Sequence, residues 1–256
     1  MILEWILLFL AGFAGGILNS IAGGGSFITF PALMMAGVPP IHANATNTYA
    51  SCAGYISGAL GFRQDIAQTK GKLALTIIGS FIGGAFGAYL LLTVNDQQFL
   101  TAIPWLLLFA TLLFIFGGKL TQLLSQLTPQ TRQTAFWSTV FVSLCLVGVS
   151  AYGGFFNAGL GVIVLSYLVI AGYTDINQMN GLKLLISSSV SLIAIAIFIY
   201  EGAIDWHRGS VVMFGTLLGG YCAARVSRNI KQIYVKRFVA MFSIALTLYF
   251  FFDVYL

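Results

Sequence analysis

A polar and glycine-rich interruption divides the first apolar stretch of the chain. Its polar and glycine residues are Asn19, Ser20, Gly23, Gly24, Gly25 and Ser26. Glycine in a helix interior costs about 1 kcal/mol relative to alanine, so the consecutive glycines predict a break in the helix. The backbone amides freed there, with the positive end of the next helix, could bind an anion. The alternative is close helix packing through small residues, but the flanking Asn and Ser favour a binding site.

A second polar cluster begins the apolar segment 42–61. Its members are Asn44, Thr46, Asn47 and Ser51. Asn44, Asn47 and Ser51 recur at helical spacing, which predicts a polar stripe that faces the protein interior rather than lipid. A helix cap with interhelical hydrogen bonds explains Asn44 alone, but not a polar run that continues into the span. His42 is predicted to be an interfacial residue rather than a proton carrier.

The third cluster is built around a lysine in the apolar segment 177–200. Lys183 lies about two turns into this segment. A charge costs free energy at that depth, so a functional role is the default hypothesis. Asn180 and Ser187 lie on the same helix face, which favours a cation that points inward. The alternative is a lysine whose long side chain reaches back to the membrane interface.

No carboxylate is predicted inside an apolar span. Asp175, Glu201, Asp205 and Asp253 lie in predicted connections or near the C-terminus. Cation pumps and proton relays usually carry an intramembrane Asp or Glu. The lack of such a residue, together with the glycine break and Lys183, favours an anionic substrate.

The composition indicates an all-α integral membrane protein. Of the 256 residues, 59% are hydrophobic and only 7% are charged, against about 25% charged in soluble domains. The apolar segments have the length of helices, which favours a helical bundle over an outer-membrane barrel. These segments are 2–18, 26–36, 42–61, 72–93, 98–118, 134–152, 161–171, 177–200, 209–224 and 237–253.

The remaining residue types argue against other classes of function. The net charge of +5 is carried by loops, where it predicts membrane topology rather than nucleic-acid binding. Cys52, Cys145 and Cys222 occur singly without metal-ligand spacing, so we interpret them as packing residues and expect no cofactor. His42 and His207 lie in predicted external loops and form no nucleophile–base pair, which argues against an intramembrane enzyme. The expected partners are a small anionic substrate and the lipid bilayer, with a homo-oligomer allowed.

The chain is predicted to contain an internal duplication. The short segments 26–36 and 161–171 are each about half as long as a hydrocarbon core about 30 Å thick requires. These segments align with each other, and so do the stretches around Asn19 and Asn157. Each repeat is predicted to hold a glycine-broken helical hairpin, with a half-length second helix, and three transmembrane helices. The predicted division is a first repeat at 1–118, a cytoplasmic linker at 119–133 and a second repeat at 134–256.

The loop charges predict that the two repeats are inverted relative to each other. Basic residues, most densely at 225–237, mark three connections as cytoplasmic, while the loops at 94–97 and 201–208 are mainly acidic and predicted to be external. Segment 42–61 then runs inward and segment 177–200 runs outward, with both termini external. Inverted repeats with paired broken segments are typical of secondary transporters with a site near the midplane. We expect such a transporter in the inner membrane, and a channel is the alternative.

The glycine-rich motif resembles the signature of the TauE/SafE family. The resemblance rests on residues 14–26, 30–33, 37–39 and 45–47, and on second-half motifs at 154–159 and 180–185. Members of this family are described as sulfite exporters and as permeases for sulfonates and other small organic anions. The resemblance therefore implies transport of a small anion between the two broken hairpins.

The resemblance adds residues of the second hairpin to the predicted site. Asn157 and Gly159 lie in its motif and are expected to contact the substrate. Leu160 separates Gly159 from Gly161 where a glycine run is common, and Ser166 stands where the first repeat has a proline. The two hairpins are therefore expected to contribute unequally.

Overall fold

The structure of the chain is a computed structural model. It describes the backbone of residues 2–21, 23–69, 71, 73–127, 135–226 and 232–256, and their side chains except 20–21, 117–127, 135–139, 224–226 and 232–236. These residues form eleven helices, and no strand occurs among them. The helices are α1 Ile2–Ile21, α2 Ser26–Met35, α3 Pro40–Gly61, α4 Arg63–Ala67, α5 Leu73–Thr93, α6 Asp96–Leu127, α7 Ala135–Phe155, α8 Leu160–Ile170, α9 Ile176–Tyr200, α10 Trp206–Val226 and α11 Gln232–Tyr255.

Several helices are long and apolar enough to cross a bilayer. In the described part of the chain, five segments meet both criteria: Ile2–Asn19, Leu73–Thr93, Asp96–Phe116, Ile176–Tyr200 and Arg237–Tyr255. Their outer faces expose large apolar side chains such as Phe86 and Trp105, as lipid contact requires. The prediction of an all-helical, multi-pass membrane protein is confirmed.

Both predicted half-length helices are present, and each follows a short non-helical stretch. Helix α2 follows the first break, at 23–25, and helix α8 follows the second break, at 156–159. Gly23 and Gly159 adopt φ angles of 80° and 79°, a left-handed conformation that side chains disfavour. Gly37 and Gly172, just after the two short helices, have φ angles of 82° and 88°. The two hairpins therefore turn at corresponding glycines.

Three element boundaries differ from the sequence-based expectation. Helix α1 continues to Ile21, so Asn19 and Ser20 belong to its last turn rather than to the break. Helix α4 occupies a connection that was expected to be irregular. Helix α6 extends to Leu127 because its polar last turns continue the helix beyond the apolar window, and the rest of the predicted linker at 128–133 lies outside the described residues.

Two helix pairs pack backbone against backbone through glycines. Helix α1 packs on α10, and helix α5 packs on α7. A Cβ atom added at Gly16 would lie 2.3 Å from Thr216 O, and one added at Gly87 would lie 1.9 Å from Ala151 O. In lipid, the hydrophobic effect does not favour association of helices. Small residues stabilise the association by letting the helix backbones pack closely. Helices α3 and α9 contact each other, and α3 packs on the α1–α10 pair while α9 packs on the α5–α7 pair, so these two helices lie between the pairs.

Candidate functional site

The two helix breaks meet inside the protein. A Cβ atom added at Gly161 would lie 3.2 Å from Gly23 Cα and 3.3 Å from Gly23 O. Helix α2 starts just after Gly23, and helix α8 starts one residue before Gly161. Both helices therefore direct the positive end of their dipole, and the free amides of their first turn, toward this meeting point.

Lys183 lies beside the meeting point of the breaks. Its side chain is only 3% exposed, and its Cδ would lie 3.5 Å from a Cβ added at Gly161. Its Nζ donates a hydrogen bond to Asn180 Oδ1 at 3.3 Å. Among the described residues, Lys183 is the only charged side chain in the buried set. The lysine thus adds a positive charge where two helix dipoles already converge.

A polar seam joins the first break to helix α3. Thr29 in the first turn of α2 donates a hydrogen bond to Asn47 Oδ1 and approaches Gly25 O at 3.3 Å. One turn closer to the break, Ser26 lies near Tyr55, whose hydroxyl is also close to Asn19 and Ser51.

Helix α3 also holds the second break through hydrogen bonds. Asn44 Nδ2 donates to the carbonyl of Phe155, the last residue of α7, at 2.9 Å. The Tyr55 hydroxyl donates to Asn157 Oδ1 at 2.9 Å, and Asn157 Nδ2 approaches Thr48 Oγ1 at 3.4 Å. Helix α3 therefore carries the contacts of both breaks on one polar face.

Tyr55 is the residue that the sequence reasoning missed. It is 5% exposed, and its hydroxyl lies between side chains of both broken hairpins. It follows Ser51 by one helical turn, so the stripe of Asn44, Asn47 and Ser51 could have been extended to it. A tyrosine in an apolar span resembles the hydrophobic residues around it, but its buried hydroxyl usually needs a hydrogen-bond partner.

Not every predicted site residue faces the breaks. Thr46 Oγ1 accepts a hydrogen bond from the backbone of Asp205 at 2.9 Å, on a side of α3 away from the polar seam. Ser187 is buried in α9, and the side chain of Ser20 lies outside the described residues. Asn19, by contrast, lies close to Tyr55.

The glycines of both breaks have packing roles. A Cβ at Gly25 would lie 2.2 Å from Gly15 O, and one at Gly24 would lie 2.7 Å from a Val239 methyl group. A Cβ at Gly159 would lie 2.6 Å from Ala110 Cβ. These glycines bring the surrounding helices together, so the predicted packing alternative accounts for them sterically.

Some buried polar atoms of the site have no hydrogen-bond partner among the described residues. Ser26 Oγ, Asn47 Nδ2 and Asn44 Oδ1 belong to this group, as do Ser150 Oγ and Ser191 Oγ farther along the chain. Within the same described residues, no group of three His, Cys, Asp or Glu side chains lies together as metal ligands would.

A charged cluster ties the start of α1 to the start of α10, away from the breaks. Arg208 pairs with Glu4 at 2.8 Å and with Asp205 at 2.9 Å. Partial burial alone would raise the pKa of Asp205, but hydrogen bonds from the Arg208 backbone and guanidinium hold this pKa below its usual value. Because the pKa of Asp205 is lower in the folded protein than in the unfolded chain, its carboxylate stabilises the fold at pH values above the unfolded-state pKa. This stabilisation is lost as the pH falls through the folded-state pKa.

The sign of this linkage gives a prediction for Asp205→Asn. Between about pH 6 and about pH 3, the unfolding temperature of the unchanged protein should fall more than that of Asp205→Asn, since the variant has no carboxylate to protonate. Thermal unfolding in detergent at several pH values measures this, with the exposed Asp253→Asn as control. Parallel curves for the unchanged protein and Asp205→Asn would contradict it.

Comparisons with known proteins agree on one family. The sequence model described as "Sulfite exporter TauE/SafE" matches residues 8–250. A Haemophilus influenzae protein named "Probable membrane transporter protein" is 29% identical over 94% of this chain and 92% of its own length. The Escherichia coli K12 protein "Probable membrane transporter protein YfcA" is 28% identical, over 93% and 86% of the two chains. "Probable membrane transporter protein ORF9" of a Sinorhizobium species is 31% identical, over 94% and 90%.

The search of solved structures gave no match. The family assignment therefore comes from sequence, and the motif residues around the two breaks lie inside the matched range. The chain belongs to the TauE/SafE sulfite exporter family.

Proposed function

We propose that this protein is a secondary transporter for a small, sulfur-containing anion such as sulfite or an organosulfonate. The observation that carries the proposal is the burial of Lys183 next to Gly161 and Gly23, where two helices begin. A buried ammonium and two helix N-termini favour a negative ligand. The relatives named as membrane transporters and the family description support transport and a sulfur oxyanion.

Alternating access fits the burial of this region. Ser26, Asn47 and Lys183 are each at most 3% exposed, so a substrate reaches them only after the helices move. A transporter exposes such a site to one side at a time. A channel of the same architecture is the second candidate, and its conductance would exceed transporter turnover by orders of magnitude.

We also propose that the chain consists of two inverted repeats, 1–118 and 134–256. In the proposed repeats, α1, α3 and α5 correspond to α7, α9 and α10. The contact between α1 and α10 then corresponds to the contact between α7 and α5, and the contact between α5 and α9 corresponds to that between α10 and α3. All four contacts occur. The left-handed glycines Gly37 and Gly172, each next after the C-cap residue of a short helix, correspond in the same way. In this arrangement each glycine-packed helix pair, α1–α10 and α5–α7, consists of one helix from each repeat.

A thermal-shift screen tests the substrate class. Purified protein should be stabilised by sulfite or an organosulfonate, because a ligand that binds the folded state stabilises it by RT ln(1 + [L]/Kd), about 2.7 kcal/mol at a hundredfold excess over Kd. The panel holds sulfite, sulfate, thiosulfate, taurine, sulfoacetate and carboxylate analogues. Stabilisation by carboxylates alone, or by none of these anions, would contradict the proposal.

The proposed orientation places both termini on the external face of the inner membrane. Asp96 Oδ1 accepts a hydrogen bond from Ile41 N, and Asp205 N donates to Thr46, so both acidic loops lie at the same end of α3. This geometry supports one side for both loops, as inverted repeats require.

Cysteine labelling tests the orientation. In a variant without Cys52, Cys145 and Cys222, single cysteines near Asp96 and Asp205 should react with an impermeant thiol reagent in intact cells. Cysteines near Lys70 and Arg228, which lie outside the described residues, should be shielded until the cells are permeabilised. Labelling of only one of the two acidic loops would contradict the inverted-repeat proposal.

A further inference from the structure

We infer that the two halves have different roles at the site: Ser26 and Asn47 of the first half donate hydrogen bonds to the oxygens of the anion, whereas Asn157 of the second half is a structural residue. This inference rests on the proposed function and assigns its ligand contacts. It follows from which buried polar groups are already satisfied and which are not.

The first half holds donors that the described residues leave without a partner. Ser26 Oγ and Asn47 Nδ2 are buried, at 2% and 0% residue exposure, and neither has a hydrogen-bond partner among the described residues. Asn47 Oδ1 already accepts from Thr29, so its amide hydrogens are what remain to be donated. A buried polar group without a partner is costly, and most buried groups in native proteins have one. Two such donors at one helix break indicate a ligand that completes them.

The polar side chain of the second break, Asn157, is already engaged. Asn157 Oδ1 accepts from Tyr55, and Asn157 Nδ2 approaches Thr48 Oγ1. Thr48 in turn donates to Asn44 O at 2.9 Å. Both the oxygen and the nitrogen of the Asn157 amide are thus engaged with α3, and Asn157 fixes the second break against this helix.

The two unpartnered donors of the first half indicate the chemistry of the ligand group that faces them. A serine hydroxyl and an amide NH2 group can both donate hydrogen bonds, and Lys183 beside the breaks can only donate. The matching ligand group has oxygens that only accept and carries a negative charge, as in a sulfonate or a deprotonated sulfite. A protonated amine, such as that of taurine, must then point away from Ser26 and Asn47.

The inference predicts opposite effects for two conservative substitutions. Ser26→Ala removes a hydroxyl that has no hydrogen-bond partner among the described residues, so its unfolding temperature should change little, while sulfite binding should weaken about tenfold. Thr48→Val removes the hydroxyl that the Asn157 amide approaches at 3.4 Å, so the unfolding temperature should fall while sulfite affinity stays within about twofold.

The experiment measures sulfite and methanesulfonate binding by calorimetry, and thermal unfolding without ligand, on the full chain in detergent. Ser188→Ala is the matched control, because its buried hydroxyl donates within its own helix to Leu184 O at 2.7 Å. Unchanged sulfite affinity in Ser26→Ala, or a loss of affinity in Thr48→Val with stability intact, would overturn the inference. If the unchanged protein binds neither anion, the proposed function itself fails, which is a distinct result.

Discussion

Gly87→Ala should lower the unfolding temperature of the protein markedly, although alanine is the better helix former. The added Cβ would lie 1.9 Å from Ala151 O and 2.7 Å from Phe155 N, so helices α5 and α7 must separate to accept it. Overpacking of this kind typically costs about 1–3 kcal/mol. Because both close neighbours are backbone atoms, no side chain can rotate away to relieve the contact.

Gly148→Ala is the matched control for Gly87→Ala. Gly148 lies in α7 itself, is exposed, and a Cβ added there meets no atom within 4 Å in the described structure. Its replacement should leave the unfolding temperature unchanged or raise it slightly through helix propensity. Thermal unfolding of both variants in detergent decides the matter. Equal behaviour of the two would mean that the α5–α7 contact does not stabilise the fold.

The positions of the helices could be predicted because length and glycine placement have local causes. A bilayer sets the length of a spanning helix, so apolar segments half that length stood out as α2 and α8. The left-handed turns at Gly37 and Gly172 also follow from a local rule, since glycine tolerates positive φ. The low helix propensity of glycine predicted the first break, and the alignment of the two halves indicated the second.

The roles of neighbouring residues could not be separated from sequence. Thr46 and Asn47 are adjacent, yet Thr46 bonds to Asp205 and Asn47 bonds to Thr29. Helical periodicity gives the angle between these two side chains. It does not tell which other helix each side chain meets, because that depends on the packing of helices distant in sequence. Gly25 is a similar case, because its contact with Gly15 depends on the angle at which α2 returns along α1.

Replacement of Lys183 should have the largest effect on ligand binding. The lysine is the only charged side chain among the buried described residues, and it lies beside the meeting point of the breaks. Lys183→Ala should therefore weaken binding of the transported anion more than tenfold, which corresponds to about 1.4 kcal/mol. Lys183→Gln should also fail despite its similar size, since it keeps the packing and removes the charge.

Lys183→Arg distinguishes a shaped site from a general need for positive charge. A planar guanidinium does not reproduce a compact ammonium, so Arg should restore binding only in part. Arg63→Ala provides the control for charge loss as such, since Arg63 is exposed in α4 and should leave affinity unchanged. Anion binding is measured on the purified variants, with folding checked by size-exclusion chromatography. Full activity of Arg together with near-normal binding by Gln would show that Lys183 acts through interfacial anchoring instead, because an interfacial lysine needs length and not a defined pocket.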